Sequence, residues 1–158
     1  MCIRDSAGAG DLDPGDAHPV GGRALAQVLQ AQGVRVRIAD RLATATSAAA
    51  GTVLVDDSTD LLTTAQWRRL AAAAADLVVV APSFDALGAI APGVDLAGIE
   101  PAGTVAAGCD LPLARRAGPM LLPSGSTALR AAAGTGVAAC YGRAGRMTRT
   151  QLLSVSAT

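Results

Sequence analysis

Five consecutive residues, Leu77-Val78-Val79-Val80-Ala81, restrict the fold more than any other stretch of the chain. They are apolar at every position, rich in β-branched side chains, and bounded by Asp76 and Pro82. A run this short with such bounds reads as a strand rather than a helix. A strand without a polar side needs cover on both faces, which makes it a central strand of a parallel sheet. The neighbouring segments alternate helix-like and strand-like patterns, as an α/β sheet requires.

Arg23 to Gln32 carries Leu25, Ala26, Val28 and Leu29 at helical spacing, and Gly33 supplies the stop. Val34-Arg35-Val36-Arg37-Ile38 alternates like an outer strand with one solvated face. Leu42 to Ala50 is a weaker helix candidate. Thr52-Val53-Leu54-Val55 reads as a buried strand ending at Asp56-Asp57. Thr63 suits the cap of a helix that reaches about Ala75 and buries Trp67, Leu70, Ala71 and Ala74. Ser83 suits the cap of a short helix, Phe84 to Ile90, stopped by Pro92-Gly93. Strands are further expected at Val94 to Ile99 and Val137 to Tyr141, separated by a long Gly/Pro-rich excursion over Pro101 to Ser126.

The 158 residues, 51% of them hydrophobic, suffice for one domain burying roughly two-thirds of its unfolded surface. Phe84, Trp67 and Tyr141 are the whole aromatic complement, and 13 Arg balance 13 acids. Neither a base-stacking surface nor a basic excess is present, so no nucleic-acid partner is expected. No run approaches the roughly 18 apolar residues of a membrane helix. Met1 to Ser6 lack the basic start and apolar middle of a signal peptide. They resemble a translated sequencing-adapter peptide, so residues 1–10 are set aside as a non-native or disordered leader. Residues 142–158 carry scattered Arg, Thr and Ser with no convincing element.

Asp56 and Asp57 follow a strand, where open α/β sheets bind ligands. Paired carboxylates there could hold Mg²⁺ or act as an acid/base pair. The structural alternative, favoured by residue type, is an Asx turn leading through Ser58 and Asp60 to the next helix. Asp11-Leu12-Asp13-Pro14-Gly15-Asp16 fails the calcium-loop pattern, with Gly15 at the fifth place and Gly22 at the twelfth. Gly8-Ala9-Gly10 and Gly134-Thr135-Gly136 are incomplete dinucleotide fingerprints, and Pro123-Ser124-Gly125-Ser126 is no nucleophile elbow. His18, the single histidine, lies in a loop among Asp and Pro. No catalytic residue, metal site or cofactor is expected. Cys109 and Cys140 are too few for a zinc site. They read either as a disulfide, worth roughly 3–4 kcal/mol for a loop of this size, or as two free thiols in a reducing compartment.

The order of several short pieces resembles the domain of unknown function 4350 family. These are Leu12-Asp13-Pro14, Gly22-Arg23-Ala24-Leu25-Ala26, Gln32-Gly33-Val34-Arg35-Val36, Asp60-Leu61-Leu62-Thr63, and Asp76 through Pro82. Ala91-Pro92-Gly93-Val94, Gly108-Cys109-Asp110-Leu111-Pro112 and Cys140-Tyr141 continue the likeness, which spans residues 11–141. The resemblance implies a three-layer, mostly parallel sheet flanked by helices, glutamine-amidotransferase-like or flavodoxin-like. It implies a domain on the outer face of the membrane of high-GC Gram-positive bacteria, held by an anchor absent from this chain. It also implies an envelope assembly linked to a MoxR-type ATPase as partner, and an oxidising exterior that favours a Cys109–Cys140 disulfide. Amidotransferase relatives that catalyse use a Cys on a strand-to-helix elbow with a His. This chain has Ala81-Pro82-Ser83 there, so their activity is not carried over. Residues 142–158 lack the closing strand and Asn-rich helix start, and read as a truncated or out-of-frame tail. The expected function is a non-catalytic extracytoplasmic binding or scaffold domain. The alternative is a small-molecule hydrolase or sugar-binding enzyme using a strand-end cleft near Asp56, Asp57 and Ser83.

Overall fold

The computed structural model describes residues 2–3, 12–19, 21–47, 51–142, 147–148 and 153–156. The fold is mixed α/β. In chain order the elements are β1 (Cys2–Ile3), α1 (Arg23–Ala31), β2 (Ile38–Ala39), α2 (Leu42–Ser47), β3 (Thr52–Asp56) and α3 (Thr64–Ala73). They continue with β4 (Asp76–Val80), α4 (Phe84–Ile90), β5 (Val94–Glu100), β6 (Gly103–Val105) and α5 (Pro112–Ala117). The last four are β7 (Met120–Leu122), β8 (Ser126–Ala131), β9 (Met147–Thr148) and β10 (Leu153–Ser156).

The largest sheet has the order β10-β4-β3-β1-β2. β4 pairs in parallel with β3, β3 with β1 and β1 with β2, while β10 lies antiparallel along β4. The β3–β4 register matches Thr52 with Asp76 and Asp56 with Val80. Smaller antiparallel sheets join β5, β8 and β9, and β6 with β7. β1 comes from the segment read from sequence as a leader, and β10 from the segment read as a tail.

The core is packed from one side of the large sheet. Val53, Val55, Leu77 and Val79 are fully buried and cluster with Trp67 and Leu70 of α3 and Ala86, Leu87 and Ile90 of α4. Leu54, Val78 and Val80, on the alternate positions, are only half-buried. The uniform apolar run of β4 therefore has one face fully covered and the other partly covered, where the sequence predicts cover on both.

Local chemistry explains the helix limits. Thr63 and Gln66 form a reciprocal capping box on α3, which satisfies two otherwise orphaned N–H groups. α1 ends in a Schellman motif: Gly33, at φ 81, donates its N–H to Gln30 O, and Val34 donates to Leu29 O. That motif takes up Val34, and strand β2 is confined to Ile38–Ala39 rather than starting at Val34. The predicted strand at Val137 to Tyr141 does not form. Gly134 and Gly136 take positive φ and the chain there follows an irregular path.

One core contact is incomplete. Trp67 is fully buried, and its Nε1–H has no hydrogen-bond partner among the described residues. An unmatched buried donor costs about 1–3 kcal/mol, while removing a large buried ring costs about 3–5 kcal/mol. Trp67→Phe is expected to stay within about 2 kcal/mol of the parent, because it deletes the orphaned donor and keeps an aromatic ring. Trp67→Ala should lose at least about 3 kcal/mol. Urea unfolding followed by circular dichroism measures both, and equal losses would refute this account of the core.

Candidate functional site

The carboxyl ends of β3 and β4 lie side by side. Beyond β3, the Asp57 N–H donates to Val80 O at 2.9 Å, so the parallel ladder runs one residue further. The Asp57 side chain then turns inward, leaving the residue 3% exposed. Its Oδ2 accepts the Ser83 N–H at 2.7 Å. A buried carboxylate needs such donors to offset lost hydration, and a bond to an ionised acceptor is stronger than a neutral one. Ser83 is also buried, and its Oγ accepts the Ala86 N–H at 3.2 Å, capping α4. Asp57 and Ser83 thus come together as a structural pair that sets where α4 begins.

Asp56 has a separate role. Its Oδ1 accepts the Ser58 N–H at 3.1 Å, and the Asp60 N–H reaches Asp57 O at 3.2 Å. This is the Asx turn that the residue types favour. Further along, the Thr64 hydroxyl donates to Asp85 Oδ1 at 2.6 Å, tying the first turns of α3 and α4.

None of Asp56, Asp57 and Ser83 lines the groove beside this edge. That groove, about 330 Å³, lies between Ser58, Val80 and Ala81 on one side and residues 123–127 on the other. Its side chains contribute hydroxyls from Ser58, Ser124, Ser126 and Thr127 and no charge. The Ser126 hydroxyl already donates to Pro123 O at 2.8 Å. Ala81 enters the groove wall at φ 50, a left-handed conformation that costs a non-glycine residue about 1–2 kcal/mol. Hydroxyls without a charged group can orient an uncharged polar ligand; they supply neither an acid/base pair nor an activated nucleophile. The far wall was not recognised in the sequence. Its one signal was the Pro123-Ser124-Gly125-Ser126 turn composition ahead of the apolar Ala128-Leu129.

Among the described residues no group of three or more His, Cys, Asp or Glu could hold a metal ion. His18 is largely exposed, with Nδ1 2.6 Å from Asp16 Oδ1. Cys109 and Cys140 are joined in a disulfide with Cα atoms 4.6 Å apart. Around it, the Gly108 N–H donates to Cys140 O at 2.6 Å. The Tyr141 Oη lies 2.9 Å from both Ala114 O and Gly118 O, so one hydroxyl proton serves two carbonyls at the end of α5. The cystine therefore fastens the excursion over residues 101–123 to the segment that returns from β8.

Set against known families, residues 14–145 match the model of the family described as Domain of unknown function (DUF4350). No curated protein and no solved structure matches the chain.

The two aspartates should separate in mutagenesis. Asp57→Ala leaves the Ser83 N–H buried without its acceptor and is expected to cost about 2–3 kcal/mol. Asp56→Ala opens a surface turn and should cost less than about 1 kcal/mol. Chemical denaturation of both variants decides this, and a larger loss at Asp56 would reverse the assignment.

Proposed function

Since the chain belongs to the family Domain of unknown function (DUF4350), we propose that it is a non-catalytic, extracytoplasmic binding or scaffold domain of a membrane-anchored envelope protein. The observation that carries this reading is the Cys109–Cys140 disulfide. Structural disulfides persist in oxidising compartments and are rare where thiols are kept reduced. The strand-end chemistry agrees with it. The Asp57 carboxyl accepts a backbone N–H and the Asp56 carboxyl accepts another within a turn, so both groups have a structural use. The partner fitting this reading is an envelope assembly linked to a MoxR-type ATPase, with the membrane reached through an anchor outside this chain.

We read the large sheet as part of a three-layer α/β fold, glutamine-amidotransferase-like or flavodoxin-like. Its run of parallel pairs supports this. The uncharged, hydroxyl-lined groove favours a second reading, sugar binding, in which Asp56, Asp57 and Ser83 act only through the backbone they position.

Placement is tested on intact cells carrying the full-length protein. After mild reduction, a membrane-impermeant maleimide is expected to modify Cys109 and Cys140, and peptide mapping without reduction should recover them linked. Labelling that requires lysis, or two free thiols in folded protein, would overturn the extracytoplasmic reading. Neutral oligosaccharides titrated by NMR should shift the amides of residues 123–127 if the sugar reading holds, and leave them in place if it does not.

A further inference from the structure

Helix α1 leaves its apolar side uncovered. Of its nine residues only Ala26 is buried. Among the described residues, five of the eleven exposed large apolar side chains fall in one short stretch: Leu25, Val28, Leu29, Val34 and Ile38. Val28 alone is 60% exposed. Leu25, Val28 and Leu29 share a helix face through their three- and four-residue spacing. The Schellman bond from the Val34 N–H to Leu29 O returns the chain beside that face. None of these side chains lines the groove at the strand ends.

Within the stretch itself the charges have a single sign. From Gly21 to Ala39 the charged residues are Arg23, Arg35 and Arg37, all exposed, with no acid among them. The whole chain is neutral, so this excess is local. The acids just before it are turned into the loop: Asp13 Oδ1 accepts the Gly15 N–H and Asp16 Oδ1 accepts the His18 N–H. Just after it, exposed Asp40 is followed by exposed Arg41.

We propose that residues 23–38 form a docking surface for anionic lipid headgroups, with the aliphatic side chains seated at the headgroup–acyl boundary. An exposed apolar helix face with cationic neighbours suits that interface, and arginine stems can lie along it while their guanidinium groups meet phosphate. A second copy of the chain fits less well. A two-fold interface sets a patch against itself, which would bring these arginines face to face.

The test uses the 158-residue chain with its disulfide intact and sedimentation with lipid vesicles. Binding is expected to vesicles mixing phosphatidylglycerol with phosphatidylcholine, not to phosphatidylcholine alone, and should weaken as salt rises. R23Q/R35Q/R37Q should bind roughly a hundredfold more weakly, at about fivefold per arginine. L25S/V28S should also lose binding, with an unchanged circular dichroism spectrum. No binding to the mixed vesicles overturns the proposal. So does loss with the arginine variant but not with L25S/V28S, which would reduce the effect to charge alone. A dimer in the ultracentrifuge that L25S/V28S dissolves would assign the surface to a second copy and likewise overturn it. Vesicle binding does not depend on which side of a membrane the domain occupies, so it can fail while the extracytoplasmic reading stands, and the reverse.

Discussion

A carboxylate closed off from water ties the two principal strands to the helix beyond them. Asp57 extends the β3–β4 ladder through its backbone and accepts the Ser83 N–H through its side chain. The first bond fixes the register of the strand ends, and the second fixes the point at which the chain leaves β4 and enters α4. Helix α4 then supplies Ala86, Leu87 and Ile90 to the core beneath Val53, Val55, Leu77 and Val79. A buried polar group so placed is stable only while its hydrogen bonds remain, so strand pairing, helix start and core packing are coupled through one side chain.

At the strand ends the two carboxyls serve the backbone, and a groove of hydroxyls lies beside them. Open α/β sheets offer ligands the carboxyl edge of their strands, and the groove lies there. Its surroundings have turned their ionisable groups to structural work, leaving hydroxyls and backbone at the surface. A wall of hydroxyls and backbone can orient a neutral molecule through hydrogen bonds.

How much of this could be read from residue order depends on how local each signal is. The Thr63 and Ser83 caps, the Gly33 stop and strands β3 and β4 arise from chemistry within a few residues, and the structure contains each of them. The positions of Asp56 and Asp57 at a strand end were equally legible. Their division into a turn-former and a buried acceptor was not, because it depends on Ser83, 26 residues away. Strand β8 escaped notice since Ser126 to Ala131 mixes polar, charged and apolar residues and gains its pattern only beside β5. The two-sided cover inferred for β4 rested on Val78 and Val80 being apolar. A β-branched residue that is half-covered has the same letters as one that is fully covered.

The cystine has a mechanical consequence. It links positions 31 residues apart whose Cα atoms are 4.6 Å from each other. A fully extended chain gains at most about 3.3–3.6 Å per residue, so the bridge withholds roughly 100 Å of slack from any pull along the backbone. Tension entering at either end would pass from Cys109 to Cys140 through sulfur and bypass α5, β7 and β8. Those elements could be peeled from their neighbours but not drawn out, and a stretched domain would shorten again from a coil already gathered at that ring.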